Sequence, residues 1–412
     1  MIRKTGLAAV FLLTLVYVLS FVDRQIIAVL GTQIRDSLSL TNFQIGLLYG
    51  PAFSVIYAVA GIPMGRIADK TSRIAMICIG LFIWSLMTLL SGFAASFAFL
   101  ISARMCVGVS QAMLSPAVYS YLADRFSEKD RATVFSVYAS GIFMGIGLSF
   151  LAGGTLSLNY DWQTAMIAAG VPGLILAPIV WLMIKEPQRS KERSAIHSNV
   201  WKEISELLKI SSVRWHLAGF SFLACTGYTI LGFAGNIFND VFGRPDLTAR
   251  FGWFMFGVGV MVVISGKTAD LLARQDGAKR YWMGHIAALA GLPFYIIGLF
   301  AESAELAFAL IGTGVLFSSS YNGVAAALIQ FYAKPGQRAL TGGLYLFVIS
   351  IAGFGLGPPI TGWLTDAVFS GRYAVSSAIL CVMLVCSAGA TISFIRAMAL
   401  YSRDTNESPS TV

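Results

Sequence analysis

Long apolar runs separated by short polar loops dominate the chain. Twelve of them reach about 20 residues, the length that a helix needs to cross a hydrocarbon layer of about 30 Å. Barrel strands would be about 10 residues long with alternating polarity, whereas these runs are apolar on every face. The pattern predicts twelve transmembrane helices, numbered here as spans 1 to 12: Gly6–Leu30, Phe43–Gly65, Ile74–Gly92, Phe97–Leu122, Ala132–Leu156, Trp162–Ile184, Trp215–Phe238, Phe251–Leu271, Tyr281–Phe300, Leu306–Tyr332, Ala339–Trp363 and Tyr373–Leu400.

The composition excludes the main alternatives to a membrane protein. Only 12% of the 412 residues are charged and 57% are hydrophobic, whereas soluble domains carry about 25% charged residues. Five cysteines are too few for a disulfide-rich scaffold of this length. A net charge of +9 reflects basic loops rather than a nucleic-acid partner, because cytoplasmic loops collect Lys and Arg.

The distribution of basic residues predicts the orientation. If both termini are cytoplasmic, 23 of the 29 Lys and Arg residues lie inside and two lie within spans. Only Arg35, Arg244, Arg250 and Arg372 then lie outside. The opposite orientation violates the positive-inside rule, so we expect cytoplasmic termini.

The longest loop, from about Lys185 to Arg214, divides the spans into two sets of six. Its apolar residues between 200 and 208 recur at helical spacing, which is typical of a short amphipathic helix on the membrane surface. A plain linker between two bundles is the alternative. The predicted division is 1–188 for an N-terminal bundle, 189–213 for the linker, 214–400 for a C-terminal bundle and 401–412 for a cytoplasmic tail.

A short motif repeats in the two halves. The predicted cytoplasmic end of span 2 carries Gly-Arg-Ile-Ala-Asp at 65–69, and that of span 8 carries Gly-Lys-Thr-Ala-Asp at 266–270. Repeated six-helix halves predict two similar bundles facing each other, with a substrate path between them near the middle of the membrane.

These motifs resemble those of the major facilitator superfamily. Gly65, Asp69 and Arg73 match its G-x-x-x-D-[RK]-x-x-R signature between spans 2 and 3. Arg104, followed by small residues in span 4, and the glycines of span 5 match two further motifs. The resemblance covers nearly the whole chain and implies an all-α fold of twelve helices in two pseudo-symmetric bundles, acting as a secondary transporter.

A narrower resemblance is to the Spinster branch of that superfamily. Asp23-Arg24 in span 1 and Ala103-Arg104 in span 4 match its motifs, whereas Ser110 and Gln111 stand where the branch has Gly and Glu. Animal members export sphingosine-1-phosphate or lysophospholipids, so the resemblance implies a lipid or anionic amphiphile as substrate. The short loops are those of a bacterial homologue, and we expect a monomer in the bacterial inner membrane.

Asp23, Arg24 and Arg104 are the ionisable residues deepest within the apolar runs. Charges at such depth are costly and are functional by default. Counting along spans 1 and 4 puts them about 10–12 Å below the outer surface, so an ion pair between Asp23 and Arg104 is feasible. We expect Asp23 to act as a proton switch and Arg104, with Arg24, to bind an anion; a fixed salt bridge is the alternative.

Other polar residues are candidates for the substrate path or the gates. Gln111 lies two turns after Arg104 on the same helix face, where it lines the cavity or bonds a neighbouring helix. Asp69 and Arg73 are expected to form a cytoplasmic latch, in which the Asp69 carboxylate caps a helix N-terminus and pairs with Arg131 or Arg125; the same residues also shape a turn, and the two roles are not exclusive. The gate set is Gly65, Asp69, Arg73, Arg131 and Asp270, and the cavity candidates are Tyr57, Tyr119, Tyr228, Asn236, Tyr321, Asn322 and Tyr345.

The functional prediction is a proton-coupled transporter of an anionic amphiphile that works by alternating access. A transporter of a small organic anion or drug is the alternative, and a lipid sensor or intramembrane enzyme is a third class. The three His residues are scattered, no P-loop motif occurs and no catalytic triad signature stands out. We therefore expect no enzymatic activity, no metal and no cofactor besides the proton gradient.

Overall fold

The computed structural model describes residues 4–187, 200–274, 276–333 and 338–406, and within these ranges the chain is helical and contains no strand. Twelve helices are long and apolar enough to cross a membrane, which confirms the predicted fold class of a multi-pass membrane protein. The spans are Gly6–Val29, Asn42–Gly61, Arg73–Ser91, Phe97–Arg125, Thr133–Asn159, Trp162–Met183, Ser211–Val241, Pro245–Leu272, Gly277–Gly298, Ala304–Tyr332, Leu340–Ala367 and Ala374–Tyr401.

The helical segments subdivide several of these spans. Up to the long loop they are Lys4–Val29, Gly31–Leu38, Asn42–Tyr49, Pro51–Lys70, Arg73–Ser91, Phe97–Gln111, Leu114–Arg125, Glu128–Leu148, Ser149–Gly153, Gly154–Asn159 and Trp162–Met183. After it they are Val200–Lys209, Ser211–Asn236, Ile237–Val241, Pro245–Arg250, Gly252–Leu272, Gly277–Tyr281, Trp282–Leu289, Leu292–Gly298, Ala304–Ser318, Asn322–Ile329, Gln330–Tyr332, Arg338–Ile349, Ser350–Phe354, Gly357–Ala367 and Ala374–Asn406.

Several helices begin at a residue whose side chain caps the first turn. The Ser72 hydroxyl accepts a hydrogen bond from the Ala75 amide at 3.2 Å, and the Asp161 carboxylate accepts one from the Thr164 amide at 2.7 Å. Thr41 forms a full capping box before span 2. The first amides of a helix have no partner within it, so these caps fix where spans 2, 3 and 6 start.

Three π-helical turns interrupt the spans, and the sequence did not predict them. They lie at Ser149–Gly153 in span 5, Ile237–Val241 at the end of span 7 and Ser350–Phe354 in span 11. A π turn inserts one extra residue and often marks a functional position in a helix. Within lipid such irregularity is tolerated only where neighbouring protein satisfies the freed backbone groups.

The chain forms two compact units. The first comprises Met1–Ser194 and Gly232–Phe256, and the second comprises Ala195–Leu231 and Gly257–Val412. The C-terminal part of span 7 and the start of span 8 therefore belong to the first unit, although the sequence assigns them to the C-terminal half. The short helix Val200–Lys209 lies within the predicted linker, of which residues 188–199 are outside the described ranges.

Glycines bring the helices of the first unit into close contact. A Cβ atom added at Gly170 in span 6 would lie 2.5 Å from the Ser85 carbonyl oxygen and 2.6 Å from the Leu89 nitrogen of span 3. Only a residue without a side chain permits this approach, which is typical of helix packing in membranes.

Aromatic rings fill the core of the second unit. Phe220 of span 7 stacks on Tyr321 at a centroid distance of 5.5 Å and packs against Phe394 at 4.8 Å. His216, one turn earlier, is fully buried among the same rings. This cluster orders the second unit around span 7.

We expect Gly170→Ala to destabilise the protein by about 1–3 kcal/mol, because the added methyl group overpacks the contact between spans 3 and 6. Gly61→Ala is the matched control, since a Cβ atom there meets nothing within 4 Å. Thermal unfolding of both variants in detergent tests this expectation. Equal melting temperatures for the two variants would contradict it.

Candidate functional site

Spans 1 and 4 of the first unit carry a layer of polar side chains inside the membrane. Asp23, Arg104 and Gln111 are 1%, 2% and 0% exposed, and Arg24 is half-buried. The structure thus brings together the four residues that the sequence placed in the intramembrane site. The two arginines differ in their partners: Arg104 bonds to backbone carbonyl groups, whereas Arg24 lies against aromatic rings.

Arg104 binds the backbone of neighbouring helices. Its guanidinium donates hydrogen bonds to the carbonyl oxygens of Asp23 at 2.8 Å, Arg24 at 3.1 Å and Leu48 at 3.5 Å. Within the described residues its hydrogen bonds go to these carbonyl oxygens and not to the Asp23 carboxylate. The five N–H donors of a guanidinium need several acceptors in an apolar interior, and three carbonyl groups supply them.

The Asp23 carboxyl group is left with an incomplete set of partners. Its Oδ1 atom is buried and has no hydrogen-bond partner. Arg104 lies close enough for an electrostatic interaction, and Thr88 of span 3 lies beside the carboxyl. A buried carboxyl with a vacant lone pair is costly when it is ionised, so this group is suited to binding a proton.

Arg24 lies against aromatic rings instead. Its guanidinium carbon is 4.6 Å from the centroid of the Phe21 ring, 4.9 Å from that of Phe53 and 4.7 Å from that of Tyr57. Cation–π contacts of this length stabilise a guanidinium without neutralising its charge. Its Nη2 atom is buried without a hydrogen-bond partner and remains a donor for an anion.

Gln111 connects spans 1 and 4 through both ends of its amide. Its oxygen accepts a hydrogen bond from Arg24 Nε at 2.7 Å, and its nitrogen donates to the Ser20 carbonyl oxygen at 3.2 Å. Gln111 therefore bonds a neighbouring helix, as one of its two predicted roles requires, and it also orients Arg24; that it lines a cavity stays a prediction. Because the amide is neutral, the charge of Arg24 is not cancelled.

Further aromatic side chains extend from the rings around Arg24. Tyr138 stacks on Tyr17 at a centroid distance of 4.2 Å and meets Tyr119 edge-on at 5.5 Å. Tyr119 is 37% exposed. We call the set Tyr17, Phe21, Phe53, Tyr57, Tyr119 and Tyr138 the aromatic patch. The sequence singled out Tyr57 and Tyr119, but Tyr17 and Tyr138 lie within apolar runs that give no separate signal.

The remaining cavity candidates lie elsewhere. Tyr321 and Tyr345 are buried in the aromatic core of the second unit, and Tyr228 stacks on Phe354 at 4.4 Å. Asn322 is exposed and donates to the Ser319 carbonyl oxygen. Asn236 is fully buried and donates to Asp240 of the first unit.

The motif between spans 2 and 3 forms a network within the first unit. Arg73, 1% exposed, donates to Asp124 of span 4 at 2.5 Å and to Glu186 after span 6 at 2.6 Å. The Ile74 amide and the Ser72 hydroxyl also donate to Glu186. The sequence expected the Asp69 carboxylate to pair with Arg131 or Arg125, which stays a prediction, and it predicted neither Asp124 nor Glu186 as a partner of Arg73. A buried guanidinium requires carboxylates, and Asp124 at the end of span 4 and Glu186 after span 6 provide them.

The other gate residues lie outside this network in the described part of the structure. Arg131 donates to the Phe126 carbonyl oxygen at 3.1 Å, and Asp270 accepts from Arg280 at 3.5 Å while 78% of its side chain is exposed. A Cβ atom at Gly65 would meet nothing within 4 Å. The Asp69 side chain is outside the described part of the structure.

Residues 13–354 match the family model of the Major Facilitator Superfamily. The chain belongs to this superfamily. This superfamily member is 29% identical to an MFS-type efflux pump of Mycolicibacterium smegmatis, over 96% of its own length and 94% of that protein. It is 26% identical to a probable L-galactonate transporter of Escherichia coli, over 91% of its own length and 86% of that protein.

Among solved structures, the chain resembles a bacterial homologue of the human lysosomal transporter Spinster, in an inward-facing and unoccupied conformation. The TM-score is 0.85 over 98% of each chain, at 24% identity. The predicted resemblance to the Spinster branch is thereby confirmed, and at this identity it establishes a shared fold.

We expect Arg73→Met to destabilise the protein by about 3–5 kcal/mol, because it leaves two carboxylates without their cation. Arg66→Met, which removes an exposed guanidinium next to the same loop, is the control.

The effect of Arg73→Met should also depend on pH. Partial burial favours the neutral form of the Glu186 carboxyl group, but hydrogen bonds from Arg73, Ile74 and Ser72 outweigh it and lower the pKa of Glu186. Stability from this group is present above its ordinary pKa and is lost as the pH falls through the lowered value. The difference in melting temperature between parent and Arg73→Met should therefore shrink in acid; a constant difference would contradict the assignment.

Proposed function

We propose that this protein is a proton-coupled transporter that moves an organic anion by alternating access. Asp23 binds the proton and Arg24 binds the anionic group of the substrate. The observation that carries the proposal is the half-buried Arg24, which combines an unpartnered Nη2 donor with a neutral Gln111 neighbour. Both termini lie in the cytoplasm of a bacterial cell, in keeping with the basic loops.

The charges of the intramembrane layer connect the proton to the anion. With Asp23 ionised, Arg24 and Arg104 leave the layer with a net charge of +1. Protonation of Asp23 raises it to +2, and binding of a monovalent anion returns it to +1. Each ligand therefore lowers the electrostatic cost of binding the other, and such coupling is reciprocal.

Arg104 acts as the structural partner in this scheme. Its hydrogen bonds to the Asp23 and Arg24 carbonyl oxygens hold the part of span 1 that carries both functional side chains. Because these acceptors are uncharged, its positive charge still acts on Asp23. Arg24, rather than Arg104, is thus the anion ligand that we propose.

The aromatic patch supports a substrate with an apolar body beside its anionic group. Rings of spans 1 and 2 lie against Arg24, rings of spans 4 and 5 extend the patch from them, and none of these rings carries a charge. An anionic amphiphile such as a lysophospholipid satisfies both requirements. A sugar acid is the second candidate, because a probable L-galactonate transporter is among the relatives.

We expect Asp23→Asn to abolish substrate uptake driven by a pH gradient in proteoliposomes, because the amide cannot exchange a proton. Asn resembles the protonated acid, so exchange of substrate across the membrane without a gradient should persist. Glu302→Gln, which neutralises an exposed carboxylate, should leave driven uptake unchanged. Undiminished driven uptake by Asp23→Asn would remove Asp23 from the coupling.

We expect Arg24→Lys to weaken binding of the true substrate by at least about tenfold, because Lys lacks the planar fork that pairs with an anion and stacks on rings. Thermal shifts with a lysophospholipid and with galactonate, each at pH 6 and pH 8, identify the substrate class, since a ligand stabilises the state that it binds. Binding should be tighter at pH 6. Arg244→Lys is the control, and equal affinity in Arg24→Lys and the parent would contradict the assignment.

A further inference from the structure

An ion pair joins two segments of the first unit that are 205 residues apart in the chain. Arg35 lies in the short helix Gly31–Leu38 that follows span 1, and Asp240 lies in the π-helical turn that ends span 7. Arg35 Nη1 is 2.6 Å from Asp240 Oδ2, and Nη2 is 3.1 Å from Oδ1. This two-point geometry is the strong form of an arginine–carboxylate contact.

Two asparagines complete the contact. Asn42, at the start of span 2, accepts a hydrogen bond from Arg35 at 3.0 Å. Asn236, one turn before Asp240, donates to Asp240 at 3.3 Å and to Asn42 at 3.4 Å. The four side chains form a closed ring of hydrogen bonds, which we call the outer latch.

The outer latch is partly shielded from solvent. The side chains of Arg35 and Asp240 are 18% and 24% exposed, and Asn236 is fully buried. Burial disfavours the cation, yet the hydrogen bonds and charge of Asp240 outweigh it and raise the pKa of Arg35. Such a pair stabilises its closed geometry more than an exposed surface pair does.

Arg35 also has a second carboxylate within reach. Its Nε atom is 2.9 Å from Asp36 Oδ1, on a side chain that is 62% exposed. If Asp240 moves away, Asp36 still neutralises Arg35, so separation does not leave a buried charge unpaired. The contact is therefore built to open and close.

The segment that carries Asp240 and Asn236 packs with one compact unit, but the chain before and after it belongs to the other. Residues 232–256 belong to the first compact unit, whereas the chain on either side of them belongs to the second. Close backbone packing accompanies the latch, since a Cβ atom at Gly235 would lie 3.1 Å from the Ala28 carbonyl oxygen. Residues 232–256 continue directly into helices of the second unit, while their side chains bond to the first unit. Movement of the flanking helices would therefore pull on the latch.

We propose that Arg35, Asn42, Asn236 and Asp240 hold the outer side closed and that their release is a step of the transport cycle. This inference rests on the proposed alternating access. It is independent of the identity of the substrate and of Asp23 as the proton site. It assigns to these residues a positioning role, away from the substrate.

The test measures access to the segment behind the latch. Thr248, in the helix Pro245–Arg250, is 3% exposed, and Thr248→Cys introduces a thiol of similar size. Labelling by a membrane-impermeant maleimide is followed in right-side-out and inside-out vesicles, without substrate or pH gradient. Labelling of the parent lacking this cysteine is subtracted, because the chain has five native Cys.

We expect Asp240→Asn and Arg35→Gln each to increase labelling from the outer side roughly tenfold, the order of effect for losing a charged hydrogen bond. The exchanged pair, Arg35→Asp with Asp240→Arg, should restore slow labelling. Asp246→Asn is the matched control, since it breaks the local pair with Arg244 in the same segment. Full labelling after denaturation verifies that each variant carries the thiol, and parent-like melting temperatures verify folding.

Unchanged labelling in both single variants, or fast labelling that the exchanged pair does not reverse, would overturn the proposal. Faster labelling from the inner side alone would also overturn it. Because no transport is measured, loss of coupling in Asp23→Asn would have no bearing on this result. Failure of the latch and failure of the proposed function are therefore distinguishable.

Discussion

A charge inside a membrane must find its partners within the protein, and the arrangement of span 1 follows from this constraint. Arg104 satisfies its donors with the carbonyl groups of Asp23, Arg24 and Leu48. The guanidinium therefore fixes the backbone that carries the functional residues while its own charge stays unneutralised. A direct pair with the Asp23 carboxylate would cancel that charge and fix the carboxylate in its ionised form. Bonding to carbonyl groups leaves the Asp23 carboxyl without a hydrogen bond from Arg104, as the proposed proton exchange requires.

Gln111 completes this arrangement because it lacks a charge. A carboxylate at the same position would accept the same hydrogen bond from Arg24, but it would also neutralise the guanidinium and compete with an anionic substrate. The amide orients Arg24 and leaves its charge available. The aromatic patch acts in the same direction, since ring faces stabilise a cation without neutralising it. The groups that orient the Arg24 guanidinium are thus different from any group that would neutralise it, as the proposed anion site requires.

The sequence predicts the spans well and their contacts poorly, for a physical reason. Apolar length alone decides whether a helix crosses the membrane, so all twelve spans were predicted. Depth also follows from counting residues, which placed Asp23 and Arg104 in one layer. Partners depend on the rotation of each helix, which an all-round apolar pattern does not encode. Arg73 therefore pairs with Asp124 and Glu186, which the sequence did not single out, and Tyr321 and Tyr345 are core residues.

Span 1 physically connects the proposed site to the outer latch. The helix Lys4–Val29 carries Asp23 and Arg24, and the helix Gly31–Leu38 that continues it carries Arg35. A hydrogen bond from the Leu30 amide to Ile26 and one from the Ile34 amide to Leu30 join the two. A shift of span 1 caused by a changed charge at Asp23 would therefore displace Arg35 relative to Asp240. Because Arg35 is bonded to Asp36 as well as to Asp240, such a displacement breaks one contact and leaves the guanidinium with its other carboxylate. Coupling between distant sites requires a rigid element whose position both sites can change, and the helices that join Asp23 to Arg35 would be that element in the proposed cycle.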